Sequence, residues 1–139
     1  MHQIGEAAEM VGLSLRTIRH WDEVGLVPPS GHSAGGFRLY TDSDIDRLRL
    51  AKHMKPMGFS LDEMRNLLEI LDLLAAGPRS RDRTRLLKRL AGFAGFADLA
   101  EARCAGLREE LSAAEDLASI LKREAKNYPE PLRHVRGRA

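Results

Sequence analysis

"LSLRTIRHWDEVGLVPP", residues 13–29, puts two arginines, a histidine and a tryptophan on one short segment and closes it with Gly25 and Pro28-Pro29. Ser14 is placed to N-cap a helix and the glycine and prolines to stop one, which predicts a helix from about Leu15 to Glu23. Leu15 and Ile18 are spaced for a buried face, with Trp21 at the next step of three. Arg16, Arg19 and His20 form the opposite face, with Thr17 beside them near the N-terminus. In a DNA major groove that face offers two guanidinium forks, a hydroxyl and a helix N-terminus, suited to guanine edges and phosphates. Balanced by Asp22 and Glu23, the same charges also fit an ordinary solvated surface. The neighbouring sequence has to decide.

Upstream, "IGEAAEMVGL" reads as a short helix with Ile4, Ala7, Ala8 and Val11 on one side and Gly12 at its end. Helix, glycine turn and capped second helix is the spacing of a helix-turn-helix. Downstream, "LVPPSGHSAGGFRLY", residues 26–40, is a loop and a small hairpin, which in this position is a wing. The alternation Phe37-Arg38-Leu39-Tyr40 lets one face of the hairpin pack. It predicts a cation, Arg38, and a phenol, Tyr40, on the face turned to a nucleic-acid backbone.

Thr41 with Asp44 resembles a capping box and opens a further helix, which Pro56 should end or kink near Lys55 before Met57-Gly58. Ser60 with Glu63 is a second box, followed by a helix that runs to Gly77-Pro78. From Arg83 onward, apolar residues fall at alternating steps of four and three from Leu86 to Ala125, a heptad seam. Such a stripe needs a partner helix, most simply the same helix of a second subunit, with Leu107, Leu111, Ala114, Ala118 and Leu121 as dimerisation positions. Gly92 and Gly95 are its weak point. A break there leaves about residues 97–125 as the coiled coil, and Phe93 and Phe96 either pack in the ordinary way or line a pocket.

With 139 residues, 43% hydrophobic and 5% aromatic, the chain has room for a small domain and an appended helix. The fold class expected is all-α with a small β-hairpin wing. A formal net charge of +2 is too small to argue for nucleic acid by itself. Cys104 is the single cysteine, so no internal disulfide or cysteine pair for zinc can form; on the seam it reads as a core residue, or as a thiol facing its symmetry mate. The five histidines lack metal-ligand spacing, and no cofactor is indicated. There is no glycine-rich phosphate loop and no defensible Ser/His/Asp order, so an enzyme is not expected. Without a signal peptide or a run of about 18 apolar residues, a cytoplasmic, non-membrane protein is expected.

The ordered set "RTIR", "GLVPP", "GFRLY" and "MGFSLDEM", within about residues 3–72, resembles the N-terminal DNA-binding domain of the MerR family of bacterial transcription regulators. The resemblance implies a winged helix-turn-helix followed by a long dimerisation helix, paired as an antiparallel coiled coil. It implies a homodimer on a pseudo-palindromic site in double-stranded promoter DNA, bending and undertwisting the spacer for RNA polymerase. It assigns Arg16, Thr17, Arg19 and His20 to the recognition helix and Phe37, Arg38 and Tyr40 to the wing. Residues 1–77 are then the DNA-binding domain, 78–125 the linker and dimerisation helix, and 126–139 a flexible basic tail.

Two departures stand out: His20 and Trp21 occupy a place where the family commonly has two tyrosines, and Gly31 and His32 stand where it often has an arginine. An imidazole at the first place gives a phosphate contact that strengthens as pH falls. The cysteines of the metal-sensing and iron–sulfur members are missing, so an effector, if any, is a small molecule or protein and not a thiol-ligated metal. The basic run at 79–89 is a solvated linker or an unspecific backbone contact. The competing reading is a helical adaptor that keeps the fold and binds a protein instead of DNA.

Overall fold

The computed structural model describes residues 1–128. Strand β1 (His2–Gln3) leads into α1 (Ile4–Val11) and α2 (Leu15–Glu23); strands β2 (Gly31–His32) and β3 (Arg38–Tyr40) follow. Helix α3 (Asp42–Met54) ends in a 3-10 turn at Lys55–Met57, and α4 (Leu61–Ala75), α5 (Ser80–Ala91) and α6 (Ala94–Asn127) complete the described chain. The class is helical with one small antiparallel sheet, as the sequence implied.

Each early helix is punctuated by a local side chain or glycine. Gly12 takes φ 68° and its N–H returns to the Ala8 carbonyl at 2.9 Å, so α1 stops where only glycine is comfortable. Ser14 accepts from the Thr17 N–H at 3.1 Å and starts α2. Thr41–Asp44 and Ser60–Glu63 both close as full capping boxes. Pro56 stands two residues after the end of α3 at Met54, where its ring denies the helix a donor.

The sheet has the order β1-β3-β2, with His2 opposite Tyr40 and Gly31 opposite Leu39. The hairpin expected from the sequence is therefore joined by a third strand, which makes β3 central. His2 anchors that extra strand: Nδ1 meets Glu6 at 2.9 Å and Nε2 meets Asp42 at 2.7 Å. The hydrogen bond to Asp42 and then that to Glu6 raise the pKa of the ring, and His2 in turn lowers that of Asp42.

One core joins Ala7 and Val11 of α1, Ile18 and Trp21 of α2, Leu26 and Val27, Tyr40 of β3, Ile45, Leu48, Ala51 and Met54 of α3, and Met64 and Leu68 of α4. Cations from later helices cap the earlier ones. Lys52 Nζ donates to the Val11 carbonyl at 2.9 Å, Arg49 to Met10 at 3.3 Å and Arg65 to Val24 at 2.6 Å, satisfying carbonyls that helix ends leave open. Asp44, almost fully buried, is a junction: it accepts from the Ser30 hydroxyl, from the Thr41 N–H at 2.9 Å and from Arg47 at 3.0 Å, while Arg47 also reaches Asp72 of α4 at 3.0 Å.

By its internal contacts the chain divides into two units, Met1–Phe96 and a second that starts at Ala97. In the first, α5 packs on α4, with Ile70 and Leu86 buried. The heptad run is interrupted: α5 closes at Ala91 with Gly92 as its cap, and α6 starts at Ala94. Phe93 and Phe96 stack with Phe59, at ring-centroid distances of 6.0 and 3.8 Å, so these aromatics pack on one another. In the second unit no described side chain is buried, and Leu99, Leu107, Leu111, Leu117, Ile120 and Leu121 are all exposed, as is Cys104. The expected tail at 126–139 begins inside α6 and, from residue 129, lies outside the described residues.

Candidate nucleic-acid interface

Helix α2 is fixed from below. Ile18 and Trp21 are buried in the core, and the Leu26 and Val27 N–H groups both return to the Trp21 carbonyl, at 2.8 and 3.1 Å, so the chain folds tightly under the helix end. Leu15, expected on the buried face, is 40% exposed: it is the first residue of α2, beyond the reach of the core that holds Ile18. On the outer side Arg16, Arg19 and His20 are exposed and, with Glu23, line one open concavity. Thr17 is half-buried, and its hydroxyl shares a 2.9 Å hydrogen bond with that of Ser14, so it also belongs to the cap.

The wing differs from expectation in one residue. Phe37 is 61% exposed at the hairpin tip, where Gly36 at φ 80° and a hydrogen bond from the Phe37 N–H to the Ser33 hydroxyl shape the turn. Arg38 is half-buried. Tyr40 is fully buried, which corrects the expectation that its phenol faces outward with Arg38. Alternation does put the two on one face of β3, but that face turns inward, toward α2 and the core. Arg38 escapes because its long stem carries the charge outward, whereas the phenol stays inside.

Burial, and then the nearby charge of Asp22, push the Tyr40 hydroxyl up to about 12 against a partial offset from Arg38. The hydroxyl has no hydrogen-bond partner among the described residues. A buried donor left in that state costs stability, so Tyr40→Phe is expected to stabilise the fold by about 1 kcal/mol and to leave DNA affinity within about twofold. Thermal denaturation and DNA titration of the variant check both parts; a destabilised variant or a clear loss of DNA affinity would contradict them.

Arg38 is held by Asp22, which along the sequence reads only as a balancing charge for the helix face. Its Nε donates to Asp22 Oδ2 at 2.7 Å, joining the wing to the last turn of α2. This hydrogen bond, and then the carboxylate's charge, keep the guanidinium protonated more firmly than usual. No sequence signal marks the pair, because the partners lie 16 residues apart on different elements.

A helix pair locked at a glycine turn, an outward cationic face and a wing tied to it define a winged helix-turn-helix protein. Residues 3–70 match the family described as MerR HTH family regulatory protein, so this part of the chain is a MerR-type helix-turn-helix region. It is 41% identical over 70 residues to the HTH-type transcriptional regulator ZntR of Escherichia coli, covering 50% of this chain and 50% of that protein. It is 40% identical over 68 residues to the HTH-type transcriptional activator mta of Bacillus subtilis, covering 49% of this chain and 26% of the activator. The chain thus spans about half, or less, of the length of these relatives. Among solved structures, HiNmlR, a MerR family regulator lacking the sensor domain and bound to promoter DNA, superposes with a TM-score of 0.58 at 27% identity, covering 91% of this chain and 93% of that one. Among the described residues no helix is long and apolar enough to cross a membrane.

Proposed function

We propose that this chain is a sequence-specific, DNA-binding transcriptional regulator. It acts as a homodimer on a pseudo-palindromic site in promoter DNA, with α2 in the major groove and the wing on the adjacent backbone. The observation that carries the reading is the outward face of Arg16, Arg19 and His20 on a helix whose other side is locked into the core, with Arg38 fastened beside it. The likeness to a family member bound to promoter DNA supports it. In this reading residues 1–77 engage DNA, 78–125 link and dimerise through α6 as an antiparallel coiled coil, and 126–139 form a basic tail. The dimer bends and undertwists the spacer so that RNA polymerase can use it, in the cytoplasm, under a small-molecule or protein effector.

Selection of duplexes from a random pool by the full chain, followed by binding titrations across salt concentrations, tests the proposal. Arg38→Ala is expected to weaken all duplexes about equally and to flatten the salt slope by roughly 0.9, the loss of one phosphate contact. Arg16→Ala or Arg19→Ala is expected to relax preference at particular base pairs by about 1–3 kcal/mol. A chain that enriches no duplex sequence would replace this reading with the adaptor alternative.

A further inference from the structure

We propose that Asp22 is a positioning residue for DNA binding: its carboxylate takes the Nε of Arg38 and thereby aims the outer edge of that guanidinium at a phosphate. The inference rests on the reading above, in which the wing meets the DNA backbone, and adds a residue that does not itself touch DNA.

Three features carry it. The contact is short, 2.7 Å, and uses only Nε; among the hydrogen bonds of the described residues neither Nη1 nor Nη2 of Arg38 has a partner. A guanidinium gripped on one edge keeps donors on the other in a fixed plane, which a free arginine has to order when it binds. Both side chains are sheltered, 23% exposed for Asp22 and 30% for Arg38, so water and salt weaken the pair less than a surface pair. Asp22 also stands on α2 itself, two residues after His20. The pair therefore fixes the wing's cation relative to the helix that presents Arg16 and Arg19, making one surface of two elements.

The sign of the effect separates positioning from plain electrostatics. Asp22 is an acid beside a surface that meets a polyanion, and removing its charge alone strengthens DNA binding. Positioning predicts the opposite. The experiment uses the full chain and the operator selected from the random pool, and compares wild type, Asp22→Ala, Arg38→Ala and the double variant across salt concentrations, with thermal denaturation alongside. Asp22→Ala, which leaves Nε without an acceptor, is expected to weaken binding about tenfold and to flatten the salt slope toward that of Arg38→Ala, because the same phosphate contact is lost. The double variant is expected to bind no more weakly than Arg38→Ala alone.

Asp22→Ala binding as tightly as wild type or more tightly, with Arg38→Ala still weakened, overturns the inference and leaves the functional reading standing. Weaker binding at an unchanged salt slope also overturns it, since a purely structural role lowers the competent fraction without removing a phosphate contact. Arg38→Ala without effect on affinity or slope overturns both the inference and the placement of the wing on DNA. Should Asp22→Ala fail to fold, Asp22→Glu keeps the acceptor but shifts it by one methylene. It is expected to fall between wild type and Arg38→Ala in slope, and a wild-type slope and affinity would count against positioning.

Discussion

Leu111→Glu is expected to turn the proposed dimer into a monomer and to lower affinity for the selected operator by about 100-fold or more. The 34-residue α6 is about 51 Å long at a rise of about 1.5 Å per residue. From Ala97 to Asn127 none of its side chains is buried, yet Leu107, Leu111 and Leu121 recur at heptad positions with 45%, 59% and 60% of their surface exposed. A lone helix gains nothing by displaying such a stripe, whereas two of them bury it. A glutamate at the centre of the seam would have to be desolvated in the paired state, opposite an apolar stripe with no counter-charge. Two half-sites bound by one dimer gain from effective concentration by factors of about 10²–10⁴, and that gain disappears with the interface. Sedimentation analysis and operator titration check the two halves of the expectation. A monomeric variant that binds the operator as tightly as the parent would show that the dimer is not what confers affinity.

Asp44→Ala is expected to cost the first unit about 3 kcal/mol, which for a unit of this size lowers Tm by roughly 15 °C. The substitution removes the N3 member of the α3 capping box and leaves the Ser30 hydroxyl, the Thr41 N–H and one edge of Arg47 without their acceptor. Burial pushes the Asp44 carboxyl up, but the hydrogen bonds from Ser30 and Thr41, with the charge of Arg47, outweigh it and hold the group below the usual range. A carboxyl whose pKa is depressed by folding contributes stability above its unfolded value, near about 3.9, and loses it as pH falls through the folded value. The gap in stability between wild type and Asp44→Ala should therefore be full at pH 7 and narrow below about pH 4. Denaturant titrations at pH 7 and pH 3 measure it; a gap of equal size at both would mean that the ionised carboxylate is not the source.

Local chemistry made much of the fold legible. Ser14, Thr41 and Ser60 announce three helix starts and Gly12 and Pro56 two stops, because capping and φ restriction act within a few residues. Strand β1 left no such mark: two residues cannot show alternation, and His2–Gln3 is a strand only because Tyr40 and Leu39 pair with it. Tyr40 shows the limit of a period-two pattern, which sorts residues into faces without saying which face turns inward. The Arg38–Asp22 contact and the stacking of Phe59 on Phe96 join distant positions, and their geometry exists only once the core has set it. Gly92 could be read as a weak point in the heptad run from its helix propensity alone, and the helix does pause there.

The cations that reach back from α3 and α4 bear on how the protein comes into being. While the chain emerges from the ribosome, α1 and α2 are complete long before Arg49, Lys52 and Arg65 exist to occupy the carbonyls of Met10, Val11 and Val24. Until then water serves those groups and the pair frays. The ends of α1 and α2 are therefore fastened by residues about 40 positions downstream of the carbonyls they serve, so a chain cut before α3 lacks all three of these contacts.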